Sequence, residues 1–131
     1  MATKLWCAAV DRFEEVKSTD DGGFVVVGCT YSSDILGITG KGVADALILK
    51  YDKDGNVLWQ QNYGGTKADI FNSVVQISDG GYIVVGYANS VNIVGITNKG
   101  GQDALIVKYD KDGNMLWQQN YGVLLSIVLK K

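Results

Sequence analysis

The chain alternates short apolar runs with glycine-rich turns, and the spacing of both predicts strands. In the second half, residues 71–77 (FNSVVQI) are rich in β-forming side chains. Ser78-Asp79-Gly80-Gly81 follows with turn chemistry, its glycines free to take positive φ. Residues 82–87 (YIVVGY) form a short β-branched run, as a buried strand would. A long glycine-containing connection spans 89–102, then residues 103–109 (DALIVKY) predict a third strand. Asp110-Lys111-Asp112-Gly113-Asn114 predicts a hairpin turn, and residues 115–121 (MLWQQNY) a fourth strand. No segment carries a 3.6-residue apolar period, so helix is expected to be negligible.

The first half repeats the second. Tyr51-Asp52-Lys53-Asp54-Gly55-Asn56 recurs as Tyr109-Asp110-Lys111-Asp112-Gly113-Asn114, an offset of 109 − 51 = 58. The same offset pairs Asp21-Gly22-Gly23-Phe24 with Asp79-Gly80-Gly81-Tyr82, and Trp59-Gln60-Gln61-Asn62-Tyr63-Gly64 with Trp117-Gln118-Gln119-Asn120-Tyr121-Gly122. From Asp45 to Gly64 only Leu49/Val107 and Val57/Met115 differ, whereas from Ala8 to Thr19 little survives beyond Asp11, Phe13 and Val16. The chain therefore divides into residues 8–64, residues 65–122 and an apolar tail, 123–131.

A four-stranded antiparallel unit repeated head to tail predicts an all-β fold of two β-propeller blades. One small sheet cannot cover both its faces, and stacking sheets around an axis buries them against each other. Val25, Val26 and Val27, with Ile83, Val84 and Val85, are expected between blades, and Trp59 and Trp117 against a neighbouring blade. Propellers close with about four to eight blades, so two blades leave open apolar faces and predict a homo-oligomer that completes the ring. The apolar run 123–129 would then complete a sheet or cap a subunit interface. The alternatives are a piece of a longer array and a two-sheet sandwich.

The motif DGGYIVVGY followed by DALIVKYDKDGNMLWQQNYG resembles the bacterial β-propeller repeats found in tandem in large surface or secreted proteins. The resemblance covers about residues 8–122. It implies a scaffold rather than a defined chemistry, and a location at or beyond the cell surface. The first residues hold one lysine with no apolar stretch behind it, which does not read as a secretory signal and points to the cytoplasm instead.

Composition narrows the function classes. Lys+Arg total 12 and Asp+Glu 14, a net charge of −2, so no basic field exists to hold nucleic acid. No apolar run approaches the roughly 20 residues of a spanning helix. Histidine is absent, which removes the commonest general base and metal ligand, and no glycine-rich phosphate motif is present: Gly64-Gly65 and Gly100-Gly101 lack the spacing. No cofactor is expected.

Four features hold candidate chemistry. Asp52-x-Asp54-Gly55-Asn56 and its repeat offer oxygens at alternate positions, as calcium loops do, but the bidentate Glu at position 12 is Tyr63 or Tyr121, and a hairpin turn is the expected reading. Cys7 and Cys29 are the only thiols, and their repeat equivalents are Gly65 and Tyr87. They are expected to be free and partly buried, a disulfide being the alternative. Asp11/Asp69 and Asp45/Asp103 recur at matching positions, where in a ring they would form carboxylate rings of the kind a hydrolase uses, yet each is expected to fix a local turn. The loop 31–44, repeated as 89–102, is the candidate ligand site: it holds Ser32, Asp34, Thr39 and Lys41, matched by Ser90, Asn92, Thr97 and Lys99. Together these predict a non-enzymatic scaffold binding a glycan or a protein, with a lectin-like propeller and a channel-carboxylate hydrolase as the other readings.

Overall fold

The computed structural model describes residues 12–30, 45–63, 69–88 and 103–121. These form eight strands: β1 (Arg12–Ser18), β2 (Phe24–Thr30), β3 (Asp45–Tyr51), β4 (Val57–Tyr63), β5 (Asp69–Gln76), β6 (Tyr82–Ala88), β7 (Asp103–Tyr109) and β8 (Met115–Tyr121). No helix occurs among the described residues. Strands β1-β2-β3-β4 make one antiparallel sheet and β5-β6-β7-β8 a second, in the same order. This is the all-β, two-blade arrangement that the repeat predicts.

The four tight turns share one plan. Each is closed by backbone bonds between its first and fifth residues, as in Asp52 N–H to Asn56 O at 2.9 Å and Asp110 N–H to Asn114 O at 2.8 Å. The fourth residue has φ near +88° at both Gly55 and Gly113, a region that glycine enters without strain. The glycine inside the second strand has another cause. A Cβ on Gly28 or Gly86 would strike the backbone carbonyl of Arg12 or Ile70, which the paired strand β1 or β5 brings against it. The register shifts beside both glycines, between Phe13 and Glu15 and between Phe71 and Ser73.

The register sorts each sheet into two faces. Val25 pairs with Lys50 and Val27 with Ile48, which places them together on one face of the first sheet. That face packs on the face of the second sheet bearing Tyr82, Val84, Leu105, Val107 and Tyr109, and Phe71 and Val74 complete the core between them. The strand of the second sheet closest to the first is β5, which lies against β1, β2 and β3. The expectation for the valine runs needs a correction. Strand side chains alternate between faces, so Val25, Val27 and Val84 lie between the sheets. Val26 belongs to the opposite face of its sheet, and Ile83 and Val85 point away from the seam.

Cys29 is fully buried and disulfide-bonded, which corrects the expectation of a free thiol. The only other cysteine of the chain, Cys7, lies outside the described residues.

Candidate functional site

The predicted ligand residues Ser32, Asp34, Thr39, Lys41, Ser90, Asn92, Thr97 and Lys99 all lie outside the described residues, as do Asp11 and the tail 123–131. The strand ends that launch their loops are described: Thr30 pairs with Asp45, and Ala88 with Asp103. Both loops therefore leave from equivalent points of the two sheets.

The polar side chains of the frame fall into repeated clusters. Asp52 Oδ1 accepts from the backbone N–H of Asp54 and of Asn56, each at 2.9 Å, and Oδ2 accepts from Asn56 Nδ2 at 3.0 Å. Asp110 repeats the set with Asp112 and Asn114. These bonds hold both carboxylates below the usual range, the bond to the backbone of Asn56 or Asn114 weighing most. Their oxygens thus serve the hairpin turn.

A second cluster is one that the strand pattern does not announce. Lys50 and Lys108 sit at the ends of β3 and β7 and are almost wholly buried. Lys50 Nζ donates to Asp21 Oδ2 at 2.9 Å and to Tyr51 O at 2.8 Å, and Lys108 Nζ donates to Asp79 Oδ2 at 3.1 Å. Asp21 also accepts from the Thr19 hydroxyl at 2.6 Å and from Gly23 N–H at 2.9 Å. Its carboxyl is held far below the usual range, chiefly by the Thr19 bond and then by Lys50 and Gly23. Asp79 is lowered too, first by the Gly81 N–H and then by Lys108. The visible signal for this pair is its exact-offset recurrence, 29 residues apart in each copy.

Asp45 and Asp103 are buried at the starts of β3 and β7. The expectation for them is a local turn; the structure adds a bond across the sheet. Asp45 Oδ2 accepts from Asn62 Nδ2 at 3.0 Å, and Asp103 Oδ2 from Asn120 Nδ2 at 2.7 Å. These bonds tie the fourth strand of each blade to its third.

The seam between sheets carries the aromatic chemistry. Trp59 lies across the turn at Gly113, where an added Cβ would meet its ring at 2.6 Å. Its Nε1–H donates to Lys111 O at 3.1 Å, and Gln61 Nε2 donates to Gly113 O at 3.0 Å. The indole meets Tyr82 edge-on with centroids 5.7 Å apart and lies near-parallel to Tyr109 at 6.4 Å. Tyr63 OH donates to Gln118 Oε1. Glu15 Oε1 accepts from Ser73 Oγ at 2.7 Å and from Val74 N–H at 2.9 Å. Burial pushes the phenols of Tyr63 and Tyr109 well above their usual range and that of Tyr82 up to about 12.

On the face away from the second sheet, where Val26, Leu47 and Leu49 are buried, the first sheet has an apolar groove of about 390 Å³ lined by Phe13, Glu14, Glu15, Val16, Phe24, Val26 and Tyr51. Phe24 and Tyr51 stack there with centroids 4.8 Å apart.

No family model matches the chain. It is similar to an uncharacterized WD repeat-containing protein of Acanthamoeba polyphaga mimivirus, 30% identical over 99 residues that make up 66% of this chain. The chain spans 7% of that protein's length. The two stacked four-stranded sheets, the 58-residue repeat and this likeness agree on a repeat of the β-propeller type.

Proposed function

We propose that the chain is a non-enzymatic interaction module of the propeller type, a frame that presents the same connection twice. The repeat carries this reading: two sheets of one strand order, stacked face to face, each sending its second-to-third-strand loop from the same place. Likeness to a WD repeat-containing protein supports it, as does the motif resemblance to bacterial surface and secreted repeats. The frame carboxylates support it from the other side. Asp52 and Asp110 hold turns, and Asp21 and Asp79 neutralise buried lysines, roles of a scaffold rather than of acid–base chemistry.

In this reading the loop residues Ser32, Asp34, Thr39 and Lys41, with Ser90, Asn92, Thr97 and Lys99, touch a glycan or a protein. Two such loops per chain convert a weak single contact into avidity. The test is capture of ligands from a glycan array and a displayed peptide library. Hits should disappear when Thr39, Lys41, Thr97 and Lys99 are all changed to Ala, at an unchanged melting temperature. Glycan hits would specify a lectin and peptide hits a protein-binding scaffold. Silence in both formats sinks the reading. Hydrolysis of a glycoside panel, lost in Asp45→Asn or Asp103→Asn, would replace it with the hydrolase.

A further inference from the structure

The seam inside the chain is a template for a contact outside it. Its donor half is the first-sheet face with Val27, Trp59, Gln61 and Tyr63. Its acceptor half is the second-sheet face with Phe71, Val74, Tyr82 and Tyr109, together with the turn at Gly113. Shifted by 58 residues, both halves occur once more. The second sheet carries Val85, Trp117, Gln119 and Tyr121 on the side away from the seam. The first sheet carries Phe13, Val16, Phe24, Tyr51 and the turn at Gly55.

Burial at these paired positions differs sharply. Phe71 is 0% exposed and Phe13 61%; Val74 is 2% and Val16 58%. On the other half, Val27 is 0% exposed and Val85 41%, while Tyr63 is 6% and Tyr121 60%. Trp117 remains 43% exposed. The turns tell the same story. Gly55 and Gly113 share φ +88°, but Gly113 lies under the Trp59 ring whereas Gly55 has nothing within 4 Å of a built Cβ. Phe24 and Tyr51, the counterparts of the two tyrosines around Trp59, line the apolar groove.

We propose that a second copy of this chain docks head to tail on the first, its Trp117 face seating on the Phe13–Tyr51 groove and the Gly55 turn. In this contact Trp117 Nε1–H donates to Lys53 O and Gln119 Nε2 to Gly55 O, repeating the bonds of Trp59 and Gln61. On one half Trp, Gln and Tyr are identical to their templates, and on the other so are Phe13, Val16 and the whole turn Tyr51-Asp52-Lys53-Asp54-Gly55-Asn56. Not every element repeats: Phe24 stands where the template has Tyr82, and Leu49 where it has Val107. Cys29 is replaced by Tyr87, and the Glu15 bond to Ser73 joins two positions that are each other's counterparts. The contact joins unlike faces, so it propagates until a ring closes. Closure at four to eight blades corresponds to two to four copies.

The proposal is independent of the loop ligand and is tested by mass. In size exclusion with light scattering the chain should run as one species at two to four times 14.1 kDa. Trp117→Ala removes one half of the contact and Val16→Asp the other, both at exposed positions. Each variant alone should be a folded monomer. Mixed, they should form one 1:1 complex of twice 14.1 kDa and nothing larger, since only one live pair of faces remains. Tyr121→Ser and Phe13→Ser repeat the test should either first variant fail to fold. Wild-type chain that stays at 14.1 kDa at all concentrations overturns the proposal and leaves the two faces to another partner. So does an assembly broken by Trp117→Ala but untouched by Val16→Asp, which would mean like faces docking on each other. Binding by the loops is read separately on the array, so either reading can fail with the other intact.

Discussion

Gly55 and Gly113 hold the same place in the same turn with the same backbone angles, yet only Gly113 has an indole above it. Alanine at a positive φ costs about 1 kcal/mol or more at either site. Gly113→Ala must also displace the Trp59 ring, so it should cost at least about 1 kcal/mol beyond Gly55→Ala. Urea unfolding of both, in the Trp117→Ala background to keep the chain monomeric, measures the difference; equal losses would mean that the ring yields freely. The lysine–aspartate pairs make a second prediction at this scale. Asp21 and Asp79 titrate lower in the folded chain than the unfolded value of about 3.9. Their contribution is therefore complete above that value and is lost as pH falls below it. The melting temperature should drop between pH 5 and pH 2, and the Asp21→Asn/Asp79→Asn double variant should start lower at pH 7 and drop less. An unchanged slope in that variant would assign acid sensitivity to other groups. The buried phenols work in the opposite direction. Tyr63, Tyr82 and Tyr109 titrate above the unfolded value of about 10. Stability from these groups is present below pH 10 and lost as pH rises through the folded values.

At the scale of the element, the repeated close approach of β1 to Gly28 and of β5 to Gly86 fixes how each blade begins. A methyl group at either glycine meets a backbone carbonyl, which cannot rotate aside as a side chain tip can. Gly86→Ala should therefore cost about 1–3 kcal/mol, the range for overpacking a closed interior, measured by urea denaturation. A neutral result would show that the first strand of a blade shifts without loss. Gly86 is the more telling site, because β5 is also the strand that approaches the first sheet. Widening β5 from β6 should disturb the seam as well as the sheet.

For the whole molecule, the repeat gives two tryptophans of one origin and opposite surroundings. Trp59 bridges the sheets through ring contacts and a hydrogen bond, whereas Trp117 lies at the open face. Trp59→Ala should destabilise the monomer by about 3 kcal/mol, the lower range for removing a packed tryptophan. Trp117→Ala should leave monomer stability within about 0.5 kcal/mol, as at exposed sites, while abolishing assembly. The two melts and the two masses together separate a seam residue from a docking residue. Equal destabilisation by both would place Trp117 in a monomer contact.

The strands, their turns and the two-blade division were legible in the chain itself. Short β-branched runs and Asp-Gly punctuation are local physics, and an exact 58-residue offset needs no third dimension. The Asp52 and Asp110 turns were legible for the same reason, their bonds spanning at most four residues. Other features needed the folded molecule. Whether a valine of β2 or β6 faces the seam depends on register across two sheets. The burial of Lys50 depends on an aspartate 29 residues away, and the bonding state of Cys29 on which chain segment comes beside it. Most of all, identical sequence at Trp59 and Trp117 has different surroundings because, among the described residues, only Trp59 has a neighbouring sheet against it. Packing is a property of what stands opposite a residue, and that is decided by the tertiary structure alone.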